Sequence, residues 1–378
     1  MIHIIPSGVF TNTYQGSYKD TISRVRFFES SDGNYQQVRL DNDDATAVLP
    51  RADEESDPTF LIEYTSFPAT VKAIRKRYPS AFIAVRSHNL EPLQHFDNHG
   101  WWPSGKGPLW MAYGMFRLFR GDLAVKRFAN VIYSISEWEN RVYWNRLPGR
   151  ARVEWLPYYC PDHLVPERYS SAESLTTPIA AAPERKIIAC LPTSQKNRKS
   201  WDLATRFLAL AKSVKTAGDV DYEFVMTGRL ADWGLPASPF VSWAGMVDDL
   251  PALLKRTKAV CLLSPLGYGF KTTIADAIAH GCYVLAHPAL ARRCPEILLP
   301  AIIPLDTART ETMQLAMERL ELPCSGSGIN DMLREVNHSM LERAFRDHLV
   351  NVNANVSRSR RSDIALSAKE SSQETGIT

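Results

Sequence analysis

The stretch from Ala259 to Ala286 limits the fold more sharply than any other part of the chain. Ala259-Val-Cys-Leu-Leu263 is a short, uninterrupted apolar run, the pattern of a strand buried on both faces of a parallel sheet. Gly267 and Gly269 follow at once and let the backbone turn sharply and come close to a ligand. Ile274, Ala277 and Ile278 then stand at i, i+3, i+4, predicting a helix capped by Thr272 or Thr273 and ended by a left-handed Gly281. Cys282-Tyr-Val-Leu-Ala286 returns as a strand. A helix entered this way turns free N–H groups and the positive end of its dipole toward the loop, where a phosphate or diphosphate would sit, with Lys271 as a point charge. Any doubly wound α/β protein that packs a tight strand-to-helix turn with glycines would show the same stretch, so the decision rests with the remaining chain.

At 378 residues the chain exceeds the comfortable size of one core, and two domains are expected. A net charge of +3 is too small to argue for nucleic acid without a long basic patch, and none is present. Six cysteines, at 160, 190, 261, 282, 294 and 324, show no CxxC spacing. Buried reduced thiols are therefore expected rather than disulfides or zinc, which points to a reducing, cytoplasmic setting. Ile2-His-Ile-Ile5 reads directly as a strand, and no signal peptide or membrane-spanning run is readable.

In order, strands are predicted near Ile2, at Gln36 to Leu40, Thr59 to Tyr64, Ala81 to Val85, Asn130 to Ser136 and Val153 to Tyr159. Helices are predicted at Lys19 to Glu29, Ala69 to Tyr78, Leu109 to Phe128 and Glu137 to Arg146. The segment from Asp97 to Gly107 reads as a loop. Ser170 to Glu184 is rich in Ser, Thr, Ala and Pro without periodicity, as a linker would be. A second series follows: strands at Lys186 to Leu191, Tyr222 to Thr227 and Phe240 to Val247, helices at Trp201 to Ala217 and Leu250 to Thr257, then the opening stretch and a last amphipathic helix from Ile329 to Leu349. This alternation predicts two Rossmann-like parallel-sheet domains facing across a cleft. The expected boundaries are an N-terminal domain over 1–165, a linker over 166–185, a nucleotide-binding domain over 186–328, a helix over 329–352 packing back toward the N-terminal domain, and a disordered tail over 353–378.

The second half resembles the nucleotide-sugar domain of GT-B glycosyltransferases, the large retaining family that includes sucrose synthases and bacterial polysaccharide mannosyl- and glucosyltransferases. Four pieces carry the resemblance, in order: Lys186 to Leu191 with Lys199-Ser-Trp-Asp202, Phe224-Val-Met-Thr-Gly228, Val241 to Val247 with the helix after it, and Gly267-x-Gly-Phe-Lys271 with Asp276 to Gly281. In the first half, Arg86-Ser-His-Asn89 and Val131 to Glu139 are more loosely similar to the acceptor domain. The family's paired glutamates align to Tyr268 and Asp276, so the first is not a carboxylate here. The arginine the family often has after the first strand is replaced by Pro192-Thr-Ser, with Lys196, Arg198 and Lys199 nearby.

The resemblance implies a hexose transferred with retention, without metal or other cofactor, from a nucleoside-diphosphate sugar to a glycan or lipid-linked saccharide. Lys199, Lys271, Thr272, Thr273 and the backbone at Gly269 would hold the diphosphate, Asp276 the ribose, and Val247 would lie in the base-binding turn. His88, at the end of a buried strand, would face the reacting sugar as the catalytic residue. Either lysine could equally be a solvated surface group, and His88 a loop histidine satisfied by backbone. Trp101, Trp102 and Trp110, with the cations between Arg117 and Arg127, suit either a core stripe or peripheral contact with an anionic membrane. Two rival functions remain: a catalytically silent binder of nucleotide sugar or glycan, favoured by Tyr268 and the missing arginine, and a sugar epimerase, disfavoured because no paired carboxylates stand out.

Overall fold

The computed structural model describes residues 1–11, 16–31, 35–44, 49, 58–99, 107–161, 164, 185–192, 197–218, 221–228, 234–324, 326, 328–343 and 345. Trp101, Trp102, Lys196, the linker up to residue 184 and the tail lie outside them. The first sheet collects β1 (Ile2–Pro6), β2 (Gln36–Leu40), β3 (Thr59–Glu63), β4 (Phe82–Ser87), β5 (Val131–Ser134) and β6 (Arg152–Trp155) in the order β2-β1-β3-β4-β5-β6, every pair parallel. The second collects β7 (Ile187–Cys190), β8 (Glu223–Thr227), β9 (Ser242–Gly245), β10 (Thr257–Leu262), β11 (Tyr283–Ala286) and β12 (Ile302–Pro304) in the order β12-β11-β10-β7-β8-β9, again all parallel. Both are doubly wound Rossmann-like sheets, as the alternation predicts.

The reason the strands read as unbroken apolar runs is visible in β10. Ala259 and Cys261 pack into one core on one face, while Val260 and Leu262 pack into another on the opposite face. All six cysteines are free thiols.

The helices are α1 (Gly16–Ser31), α2 (Pro68–Arg77), α3 (Glu91–His99), α4 (Pro108–Phe128), α5 (Glu137–Val142), α6 (Arg198–Ala217), α7 (Leu250–Arg256), α8 (Thr272–Ala279), α9 (Pro288–Ala291) and α10 (Thr310–Leu320). The last, α11, covers 329–343. Its Ile329 and Leu333 join the core of the second sheet, and Leu341 joins Phe28, Leu61 and Phe82 under the first. Asn330 exchanges two hydrogen bonds with the Cys160 backbone, at 2.7 and 3.0 Å, and Asn337 Nδ2 donates to the Pro157 carbonyl at 2.6 Å.

Helix α8 differs from expectation at its start. Lys271 occupies the cap position without a side-chain capping bond, and Thr272 is already the first helical residue. Its end is as predicted: Gly281 has φ +71°, and the Cys282 N–H reaches back to the Ala277 carbonyl at 2.9 Å.

Candidate donor site in the cleft

In each sheet the strand order reverses direction at one point, and the loops leaving the two central strands diverge there to open a crevice. In the second sheet that point is β7 beside β10, from whose ends run the segment into α6 and the glycine loop into α8. Asn197 fixes the start of α6 by accepting the Ser200 N–H at 2.8 Å, which places Lys199 in the first turn. Lys271 stands immediately before α8. Gly267, at φ +89°, brings the two together: a Cβ added to it would lie 2.6 Å from Lys199 Cδ and 2.7 Å from Lys271 Nζ. Only a residue without a side chain lets both lysines press against the loop. Burial, then repulsion from Lys199 and Arg293, pushes the Lys271 ammonium well below its ordinary range, and burial lowers Lys199. Cations packed so closely make an anion the natural occupant of the space they face.

Arg293 fixes the loop from behind, donating to the carbonyls of Gly267 and Pro265, each at 3.0 Å. Its guanidinium also covers the Tyr268 ring, 5.3 Å from the centroid. Tyr268 is thus tied to Arg293 and does not line the cavity.

That cavity has a volume of about 620 Å³ and lies between the two sheets. Of the residues singled out from the sequence, the structure brings His88, Lys199, Val247, Lys271, Thr272, Thr273 and Asp276 to its wall. Val247, Leu250, Leu191 and Leu203 add apolar side chains to the same lining. Thr272 and Thr273, the first residues of α8, line the cavity with the lysines, and N–H groups in a first helical turn have no acceptor within the helix.

Two of the expected donor-binding residues have other partners in the structure. Gly269 is not in the wall: its N–H donates to Glu139 Oε1 at 2.5 Å, and a Cβ there would lie 2.6 Å from the His88 carbonyl oxygen. The close approach that its positive φ allows is to the opposite domain rather than to a diphosphate. Asp276 faces the cavity but has both oxygens engaged, Oδ2 accepting from Lys19 Nζ at 2.6 Å and Oδ1 from the Tyr158 hydroxyl at 2.7 Å. A ribose hydroxyl would have to share this carboxylate with both, on the lone pairs they leave.

Across the cleft, His88 leaves β4 and stacks on Tyr64, the ring centroids 4.1 Å apart. Tyr64 is the one non-glycine residue at positive φ, +78°, among the described residues, a conformation that costs on the order of 1–3 kcal/mol and persists only where the surroundings enforce it. His88 Nε2 donates to Glu63 Oε2 at 3.2 Å, and its Nδ1 lies 3.5 Å from Asp20. Beneath it, Arg24 bonds both Asp20 and Glu63, Arg86 grips Asp20 with two bonds of 2.9 Å, and His3 donates to Glu63 at 2.8 Å. Burial alone would raise the Asp20 and Glu63 carboxyls, but the guanidiniums hold both well below the usual range. Burial outweighs the carboxylates at His88 and His3 and lowers both. Asp20, Glu63 and His88 place three ligand-type atoms within 4.8 Å of one another. Two carboxylates against two guanidiniums leave no charge for a metal ion, so the cluster fits an ion-pair network that fixes His88.

Sequence reasoning missed the residues that join the two halves. Three successive N–H groups of the glycine loop donate to acceptors of the first domain: Gly267 to Asp97 Oδ2 at 2.5 Å, Tyr268 to Gln94 Oε1 at 2.8 Å, and Gly269 to Glu139. Asp97 and Gln94 sit on α3, where the sequence predicts a loop from Asp97 onward and no element at Gln94. Their spacing of three puts both on one helical face, but nothing local says what they meet. Burial raises the Glu139 carboxyl to about 7, opposed by the Gly269 N–H and Lys271, and its Oε2 has no hydrogen-bond partner among the described residues.

Two parallel six-stranded sheets facing across a ligand-sized cleft define the GT-B fold, and comparison with solved structures agrees. Sucrose-phosphate synthase from Thermosynechococcus elongatus superposes with a TM-score of 0.64 at 10% identity, covering 93% of this chain and 100% of its own. A structure described as trehalose-6-phosphate from E. coli bound with UDP-2-fluoro glucose gives 0.57 at 11% identity, over 92% and 99% of the two chains. HepE of Anabaena, in complex with UDP and glucose, gives 0.54 at 11% identity, over 92% and 100%. At such identities the likeness is one of fold. No family model matches the sequence, and no curated protein matches it.

Proposed function

We propose that this chain is a glycosyltransferase that moves a hexose from a nucleoside-diphosphate sugar to a glycan or lipid-linked saccharide, with retention and without metal, in the cytoplasm. One observation carries the reading: Lys199 and Lys271 converge on Gly267 at the N-terminus of α8, on the wall of a cavity between two Rossmann-like sheets. The volume of about 620 Å³ is ample for a ligand of this size, within the roughly 300–1,000 Å³ usual for such sites. When the bond from sugar to diphosphate breaks, negative charge grows on the leaving phosphate. In this reading Lys199, the Thr272 and Thr273 N–H groups, and Lys271 on leaving the Tyr268 carbonyl it donates to at 3.0 Å, would meet that charge. Val247 and Leu250, apolar residues of the cavity lining, are assigned to the base. His88, held by Glu63 and stacked on Tyr64, is assigned to the hexose, orienting a hydroxyl near the reacting carbon. The neighbours named with UDP and glucose make UDP-glucose the first donor to test.

A silent nucleotide-sugar binder remains the second reading, supported by Tyr268, which lies under Arg293 and supplies no carboxylate. Calorimetry with a panel of nucleotide sugars, followed by chromatography for released nucleoside diphosphate with and without saccharide acceptors, separates the two. Binding of one donor is expected, weakened about tenfold or more by Lys199→Ala or Lys271→Ala, the scale of losing a charge-assisted hydrogen bond. Binding without turnover across acceptors would favour the silent reading. No donor bound, and no effect of either lysine, would sink both.

A further inference from the structure

We propose that the outer face of α4, with the adjacent α2, is a docking surface for an anionic phospholipid membrane. Helix α4 presents Leu109, Tyr113 and Phe116 at 85, 66 and 56% exposure, with Trp110 at 37%. Leu109, Tyr113 and Phe116 recur at i, i+4 and i+7 and form one stripe. Trp110, Tyr113 and Phe116 thus stand outside the core, whereas Phe128 at the end of α4 packs against it. Single exposed apolar residues need no explanation, but a contiguous large apolar stripe marks a surface that meets something.

Charge identifies the partner. Arg117, Arg120 and Arg127 are exposed on α4, and Lys72, Lys76 and Arg77 are exposed on α2. The two helices contact each other: Gly121 of α4 lies against Pro68 of α2, and Arg75 donates to the Phe128 carbonyl at 3.1 Å. Neither helix exposes an acid: α2 contains none, and the single acid of α4, Asp122, is buried. Asp43 caps the start of α2, accepting from the Ala69 and Thr70 N–H groups at 2.7 and 2.8 Å, but six exposed cations outweigh it. Exposed aromatics beside such a cluster suit an interface where rings enter the headgroup layer and lysines and arginines meet anionic lipid. A second copy of this chain would have to bring six cations against six, which repulsion opposes. Among the described residues no helix is long and apolar enough to cross a membrane, so contact here is peripheral. Helix α4 also packs against α3, where Gly114 lies close to His95. The lipid face is therefore one helix away from Gln94 and Asp97, which hold the glycine loop.

The test is co-sedimentation of the full chain with vesicles of phosphatidylcholine alone and of phosphatidylcholine with phosphatidylserine, at low and high salt. Binding to the phosphatidylserine vesicles is expected, weakened by salt. The variants Leu109→Ser with Phe116→Ser, and separately Arg117→Glu with Arg120→Glu, should each bind about tenfold or more weakly, given the strength of such contacts. Circular dichroism and nucleoside-diphosphate binding should be unchanged in both, since neither pair touches the cleft; this keeps the result separate from any failure of the transfer reading. Equal binding to neutral vesicles, no binding at low salt, or a dimer in solution that either pair abolishes would overturn the proposal.

Discussion

Glu139 shows how much one buried atom can depend on its surroundings. Its carboxyl faces the Gly269 N–H, the Leu90 backbone, Lys271 and Arg293, yet burial keeps its pKa near 7. The sign follows: the folded chain holds this proton more tightly than the unfolded one, so stability from Glu139 is full below the ordinary pKa of 4.5 and lost as pH rises through about 7. Glu139→Gln keeps an acceptor for Gly269 and removes the charge. It is expected to leave stability unchanged near pH 4 and to raise it at pH 8 by on the order of 1–3 kcal/mol, measured by urea denaturation at both values. A loss at pH 8 would mean that the charge itself holds the loop. His88 and His3 act in the opposite pH region. Their lowered pKa values leave their favourable, neutral state intact above 6.5 and lose it as pH falls, together with the carboxylates they contact.

At the scale of elements, the glycine loop and α8 were the most legible part of the sequence because their constraints are local. Positive φ needs glycine, a both-faces-buried strand needs an unbroken apolar run, and Gly281 ends the helix where the pattern stops. Gly267→Ala tests this directly. Its φ of +89° and contacts of 2.6 and 2.7 Å with the two lysines predict a stability loss of about 1–2 kcal/mol from backbone strain and a donor-diphosphate affinity lowered about tenfold by displaced charges. Gly218→Ala is the control: it has φ +85° but nothing within 4 Å, so it should lose stability alone. Full donor affinity in Gly267→Ala would refute the role given to the close packing. Other elements were less legible for physical reasons. β12 has three residues, too short for any period, and α3 opens with Glu91-Pro92 and ends among polar residues. Helix α10 did carry a signal, Met313, Ala316, Met317 and Leu320 at helical spacing, which went unread. The capping expectation failed because the threonines lie one position inside the helix. The role of Asp276 could not be read locally, since its partners, Lys19 and Tyr158, are 257 and 118 residues away.

For the whole molecule, those long-range pairs decide how the two sheets sit together. Lys19 and Asp276 are both buried, and removing one partner of a buried ion pair costs about 3–5 kcal/mol when the other charge stays desolvated. The chain can avoid that cost by parting the cleft and letting Asp276 hydrate. Lys19→Met is therefore expected to increase the radius of gyration in solution scattering, with the second sheet intact by circular dichroism. An unchanged radius with reduced stability would show that the pair is not what holds the halves together. Asp97, Gln94 and Glu139 impose a further consequence. The cavity beside the loop stands open, but while those acceptors hold three amides of the glycine loop, no ligand can use the same amides. Entry of a donor is then a free encounter, and any tightening of the loop onto it is a gated second step. In stopped flow the fast phase should grow with donor concentration without limit, and a slower phase should level off at the frequency with which the three bonds let go.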